Sequence, residues 1–174
     1  HDTGIFRTGD LKKYCEKAAP RQTIIYVDQN AVKAGSKKWA QQITNKVKLA
    51  PRERLTIMKL NSASGTVDQL FSACYPMYSA AERKAIREKE GFVNQLLGSS
   101  LDDAKKDRQL FEKGRNLVLS KLILEAGSVE FNSNFSASDL PTKAIAEAFF
   151  YDEKRFDLAN GIPRLIVYSD MLQA

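Results

Sequence analysis

Histidine is almost absent: the one in this chain of 174 residues is His1. Serine–histidine and cysteine–histidine catalysis therefore lack a base at a usable position. The two cysteines, Cys15 and Cys74, are far apart and match no metal-ligand spacing such as CxxC. Gly4, Gly9 and Gly35 lack the spacing and strand context of a phosphate-cradling loop. No apolar run approaches the ~20 residues that span a bilayer. The first residues lack the apolar centre of an export signal, so the sequence as given reads as mature or never exported. Repeats and low-complexity segments are missing too.

What is present suits one soluble domain. The chain is 43% hydrophobic, enough for a core, and 28% charged, with a net charge of +6. The basic residues are scattered: Lys37, Lys38, Lys46 and Lys48 in one stretch, Arg83, Lys84, Arg87 and Lys89 in another. Acidic residues interleave with the second group, which reads as a solvated helix face rather than a nucleic-acid groove. The cysteines are either a disulfide, which needs an oxidising compartment, or two buried thiols. The disulfide is favoured, because Cys15 lies in a short segment in need of an anchor and Cys74 ends an apolar run beside Tyr75-Pro76. With it goes a periplasmic or secreted location.

Along the chain, residues 1–21 read as an N-terminal arm with a short helix around Asp10–Lys17. Thr23 to Asp28 is a nearly continuous apolar run ending on a carboxylate, the pattern of a central strand buried on both faces. Ser36 caps a predicted helix to about Leu49, with Trp39, Ile43 and Val47 as its stripe and Pro51 as its stop. Arg54–Leu60 and Val67–Cys74 form a hairpin about a turn at 61–65. Ser79 and Glu82 fit a capping box opening a helix that ends near Gly91. A long helix covers 101–126, with Leu110, Leu117, Leu122 and Leu124 among its core residues and Gly127 as its stop. Residues 128–138 read as a loop, and Asp139 with Pro141 opens a helix to about Tyr151. Arg164–Tyr168 is a last buried strand, leading to Asp170. Long crossovers between buried strands predict an α/β domain with a Rossmann-like, mainly parallel sheet, one antiparallel hairpin strand and helices on both faces.

Two predicted strands lead to aspartates, Asp28 and Asp170, at the carboxyl ends where open parallel sheets bind ligands. Two carboxylates there repel unless a cation or hydrogen-bond donors lie between them. The bland alternative is that each caps the helix that follows its strand.

On these residues the chain resembles a von Willebrand factor A domain. That family carries Asp-x-Ser-x-Ser after its first strand, then a hairpin, a Thr-led helix, and a strand ending in Asp. Here Tyr26-Val27-Asp28-Gln29-Asn30-Ala31-Val32 stands at the first motif, Thr142 at the second and Tyr168-Ser169-Asp170-Met171 at the third. The resemblance spans roughly residues 22–173. It implies a protein-binding domain without catalytic activity. Asp28, Asn30, Thr142 and Asp170 would hold Mg²⁺, Mn²⁺ or Ca²⁺ in a metal-ion-dependent adhesion site. Asn30 replaces one serine but keeps an oxygen; Val32 replaces the other and offers none; Met171 stands for the usual glycine. The site therefore reads as degenerate, and a metal-free rim remains an alternative. Family members continue with further strands past this point, whereas the sequence given stops at Ala174. The expectation is an incomplete sheet whose edge pairs with a second copy or another chain. Val27-Asp28-Gln29-Asn30 is also similar to the opening of a PIN-type metal-dependent nuclease acting on phosphodiesters. Asp28, Asp170, and Glu125 or Asp139 would then supply the carboxylates.

Overall fold

A computed structural model describes residues 8–17, 19–28, 38–61, 66–128 and 161–168. Four strands form one sheet in the order β3-β2-β1-β4: β1 is Arg21–Asp28, β2 Arg54–Asn61, β3 Thr66–Cys74 and β4 Ile162–Tyr168. β1 runs parallel to β2 and to β4, and β2 pairs antiparallel with β3. The chain is therefore α/β with a mixed sheet containing one antiparallel pair.

β1 occupies the centre because its sequence has no polar face. Seven of its eight residues, all after Arg21, are buried. Ile25 and Val27 join a large core cluster, while Ile24 and Tyr26 join a second, smaller one with Met58. Each of these aliphatic side chains contributes roughly 1.5–3 kcal/mol by leaving water. The hairpin register slips between Ile57 and Met58. Leu70 of β3 is the residue left without a partner there, and the ordinary alternation of a strand points Ile57 into the large cluster and Met58 into the small one.

The large cluster gathers the helices. A 3-10 helix, Thr8–Cys15, is long for its type. Leu11 and Tyr14, three residues apart and so on one face of a 3-10 turn, are both fully buried. Within the stretch read as an arm, Leu11 and Tyr14 belong to the large cluster, and the adjoining strand begins at Arg21. A disulfide joins Cys15 to Cys74 at the end of β3, with Cα atoms 5.4 Å apart and a sequence separation of 59. Closing a loop of that length in the unfolded chain favours folding by about 4 kcal/mol in the chain-entropy picture.

Helix α1, Lys38–Lys46, contributes Ala40 and Ile43. It stops short of the predicted Leu49, although Val47 and Leu49 still pack on the cluster. Ser36 and the side chain of Trp39 lie outside the described residues. Helix α2, Ala80–Leu97, opens on the expected capping box, with Ser79 accepting from the Glu82 amide. At Gly91 (φ 62°, ψ −176°) the backbone leaves the helical region, and a second segment continues to Leu97. Helix α3, Ser100–Ser128, runs through Gly127 rather than stopping there. Its buried stripe is Ala104, Phe111, Leu119 and Leu122. Leu117 and Leu124, expected in the core, are 44% and 76% exposed because they fall off that stripe. No described helix contributes a residue to the second cluster. The predicted loop at 128–138, beyond Ser128 at the end of α3, and the whole predicted helix Asp139–Tyr151 lie outside the described residues.

Candidate functional site

Three places in the sheet and its helices gather chemistry-bearing side chains. The first is the carboxyl rim. β1 delivers Asp28 to its end opposite Leu60 of β2, and the Asp28 side chain is buried. On the other flank Val27 pairs with Tyr168, the last residue of β4. Burial holds the Tyr168 hydroxyl above the usual phenol range. Asn30, Thr142 and Asp170, the other expected ligands, lie outside the described residues, as do Val32 and Met171. So do Asp139 and the side chain of Glu125, named for a nuclease. Among the described residues no group of three or more His, Cys, Asp or Glu could hold a metal ion. Of the expected oxygen set, Asp28 is the member that lies among the described residues. An oxygen-only set of that kind suits a hard divalent ion.

The second place is the opposite end of the same strands. Glu53, just before β2, is fully buried. Its carboxylate accepts from Arg21 Nε and, at 3.3 Å, from Arg21 Nη2. It also accepts from Thr23 Oγ1 at 3.0 Å and from the Ala50 amide at 2.8 Å. Arg164 of β4 stands 3.8 Å away and donates to Thr23 Oγ1 at 2.9 Å. Both arginines also donate to the Lys48 carbonyl at 3.0 Å. The bond to Glu53 raises the Arg21 guanidinium above its usual value, while burial lowers that of Arg164. A buried carboxylate needs this many partners. With every oxygen engaged, the cluster fastens β1, β2 and β4 together and leaves no acceptor for chemistry. Sequence reasoning missed it: one glutamate before a strand carries no pattern.

The third place is a cleft between α2 and α3, floored by the segment joining β3 to α2. It has a volume of about 370 Å³ and is lined by Tyr75, Met77, Tyr78, Arg83, Arg87, Leu101, Ala104 and Arg108. Its walls are fixed from behind. Tyr75 packs edge-on against Phe111 at 5.3 Å, and Tyr78 packs on Tyr14 at 5.6 Å with the Arg52 guanidinium over its ring. Arg108 donates to the Pro76 carbonyl at 3.1 Å. Arg83 and Arg87, expected with Lys84 and Lys89 on a solvated helix face, line this cleft; Arg83 is half-buried, while Arg87, Lys84 and Lys89 are exposed. A signal was present in the sequence. Arg83 and Arg87 are four apart and share a helix face, and Arg83 has no acidic residue three or four positions away, while Arg87 has Glu90 three away.

No described helix is long and apolar enough to cross a membrane. Comparison with family models, with curated proteins and with solved structures gave no match to this chain.

Proposed function

We propose that this chain is a protein-interaction domain of the von Willebrand factor A type, acting in an oxidising, periplasmic or secreted setting. The observation that carries the reading is the position of Asp28. It is a buried carboxylate at the carboxyl end of the central strand, flanked by two parallel neighbours. That is where open α/β sheets gather their ligands. The antiparallel hairpin next to the parallel pair supports the same reading. So does the Cys15–Cys74 disulfide, which persists where thiols are not kept reduced.

Asp28, Asn30, Thr142 and Asp170 are the residues that would hold a magnesium, manganese or calcium ion. When bound, the ion supplies an open coordination position for a partner's carboxylate. These four residues would provide the oxygen donors. Self-association along a sheet edge is a second use of the same fold.

The test is a thermal melt of metal-stripped protein with and without each ion, on wild type and Asp28→Ala. A rise in Tm with metal, lost in the variant, is the expected result. No response to any ion overturns the metal part of the proposal. Metal-dependent cleavage of a phosphodiester by the responsive protein would transfer the rim to the nuclease reading.

A further inference from the structure

The cleft between α2 and α3 lies away from the carboxyl rim. Tyr75 follows the last residue of β3, which pairs with Arg54 at the start of β2, so the cleft is near the amino ends of the parallel strands. We infer that this cleft is a binding site for a small organic phosphate, with Arg83, Arg87 and Arg108 receiving the phosphate group and Tyr75, Tyr78, Met77 and Leu101 receiving its apolar body.

Four observations support the assignment. Three guanidiniums line one cavity, and no acidic side chain lines it. Like charges gathered this way repel, and an anion between them removes that repulsion. Arg83 and Arg87 make no side-chain hydrogen bond or ion pair within the described residues, so their donors are available. By contrast Arg52, close by, donates from all three of its nitrogens, to Glu82 and the Lys13 carbonyl. The walls are held by the contacts of Tyr75 with Phe111 and of Tyr78 with Tyr14, so little ordering is required on binding. Finally, a volume of about 370 Å³ falls in the range of small-molecule sites and is too small for a folded partner.

Phosphate is chosen over carboxylate on donor count. A phosphate monoester offers three terminal oxygens and close to two charges, matching three planar guanidinium forks better than one carboxylate with two oxygens does. The mixed lining selects for an organic body, since bare inorganic phosphate would leave the tyrosines, Met77 and Leu101 uncovered.

The experiment is a thermal melt with phenyl phosphate, inorganic phosphate and benzoate at matched ionic strength in sodium chloride. It uses wild type, Arg87→Gln, the double variant Arg83→Gln/Arg87→Gln, and the control Lys84→Gln/Lys89→Gln. Arg87 and both lysines are exposed, so the single variant and the control keep the fold, and each variant's melt without ligand verifies this. Phenyl phosphate at ten times its Kd is expected to raise the wild-type Tm by about 4 °C. The control should respond equally, Arg87→Gln less, and the double variant not at all. Inorganic phosphate and benzoate should both act more weakly than phenyl phosphate. An unresponsive wild type, or a double variant that responds like wild type, overturns the site. A benzoate response as large as that to phenyl phosphate overturns the assignment to phosphate.

Discussion

The Tyr14 hydroxyl donates to Asp107 Oδ2 at 2.6 Å across 93 positions of sequence, linking the N-terminal 3-10 helix to α3. Burial first, and then the neighbouring Asp107 carboxylate, push the Tyr14 phenol well above its usual value. A group whose folded pKa is raised contributes stability that is complete below its unfolded value. That contribution is lost as pH rises beyond about 10, where the unfolded tyrosine ionises. Tyr14→Phe should therefore cost about 1.5–3 kcal/mol at neutral pH, the range for a hydrogen bond to a charged acceptor. It should also flatten the loss of stability above pH ~10. Urea unfolding at several pH values checks both, and an unchanged alkaline limb would count against the coupling.

Glu53 gives the largest single effect. Glu53→Ala strips the partner from Arg21, Arg164, Thr23 and the Ala50 amide at one stroke. Removing one side of a buried ion pair costs about 3–5 kcal/mol. Glu53→Gln retains an acceptor oxygen for Thr23 or the Ala50 amide and should cost clearly less. Equilibrium urea midpoints of the two variants rank them, and equal midpoints would show that the charge does not matter.

The contrast between Asp28 and Glu53 shows what the sequence made legible. β1 was readable because a continuous apolar run can be satisfied only in the centre of a sheet, and its boundary fell within two residues of Arg21–Asp28. The hairpin was readable from its apolar runs about a Ser/Asn/Gly turn, and the α2 start from the Ser79–Glu82 spacing. Long-range partnerships were not readable. Glu53 meets Arg21 and Arg164 only after three strands align. Arg83 and Arg108 line one cleft only after α2 and α3 pack together. The Leu117 and Leu124 expectation failed because α3 turns a narrow face to the core, so leucine alone does not identify the buried side.

The capping box offers a prediction on the acid side. Ser79→Ala removes the acceptor for the Glu82 amide and should cost about 1 kcal/mol. The bond from Arg52 chiefly, against the opposing effect of burial, holds the Glu82 carboxyl below its usual value. A depressed carboxyl contributes stability that is present above its unfolded value near 4.3. The contribution is lost as pH falls through the lower, folded value. Glu82→Gln should therefore flatten the acid limb of a stability–pH curve below about pH 4.3. A limb as steep as wild type's would assign acid sensitivity to other carboxylates.

Two glycines with positive φ separate crowding from backbone strain. At Gly161 (φ 97°) a Cβ would collide with the Ala19 carbonyl oxygen and lie 2.7 Å from the Arg21 nitrogen and 2.9 Å from Pro20 carbon. These are backbone atoms at the start of the β1–β4 pairing, where Ile162 N donates to the Pro20 carbonyl at 3.0 Å. At Gly91 (φ 62°) nothing lies within 4 Å. Gly91→Ala should cost only the strain of a positive-φ, extended backbone, about 1–3 kcal/mol. Gly161→Ala should exceed that and weaken hydrogen-exchange protection along β4, while β2 and β3 keep theirs. Equal losses from both substitutions would mean that the close approach at Gly161 relaxes freely.

The Cys15–Cys74 bond encloses the whole of β1, α1 and β2 in one covalent ring. A single backbone cut anywhere within that ring, between Asn61 and Thr66 for example, opens the ring without releasing a fragment. A nicked molecule would migrate as one band on a non-reducing gel and separate into two only after reduction. A protease that cuts once within the ring would therefore leave the pieces tethered at the 3-10 helix and the end of β3, in position to remain assembled.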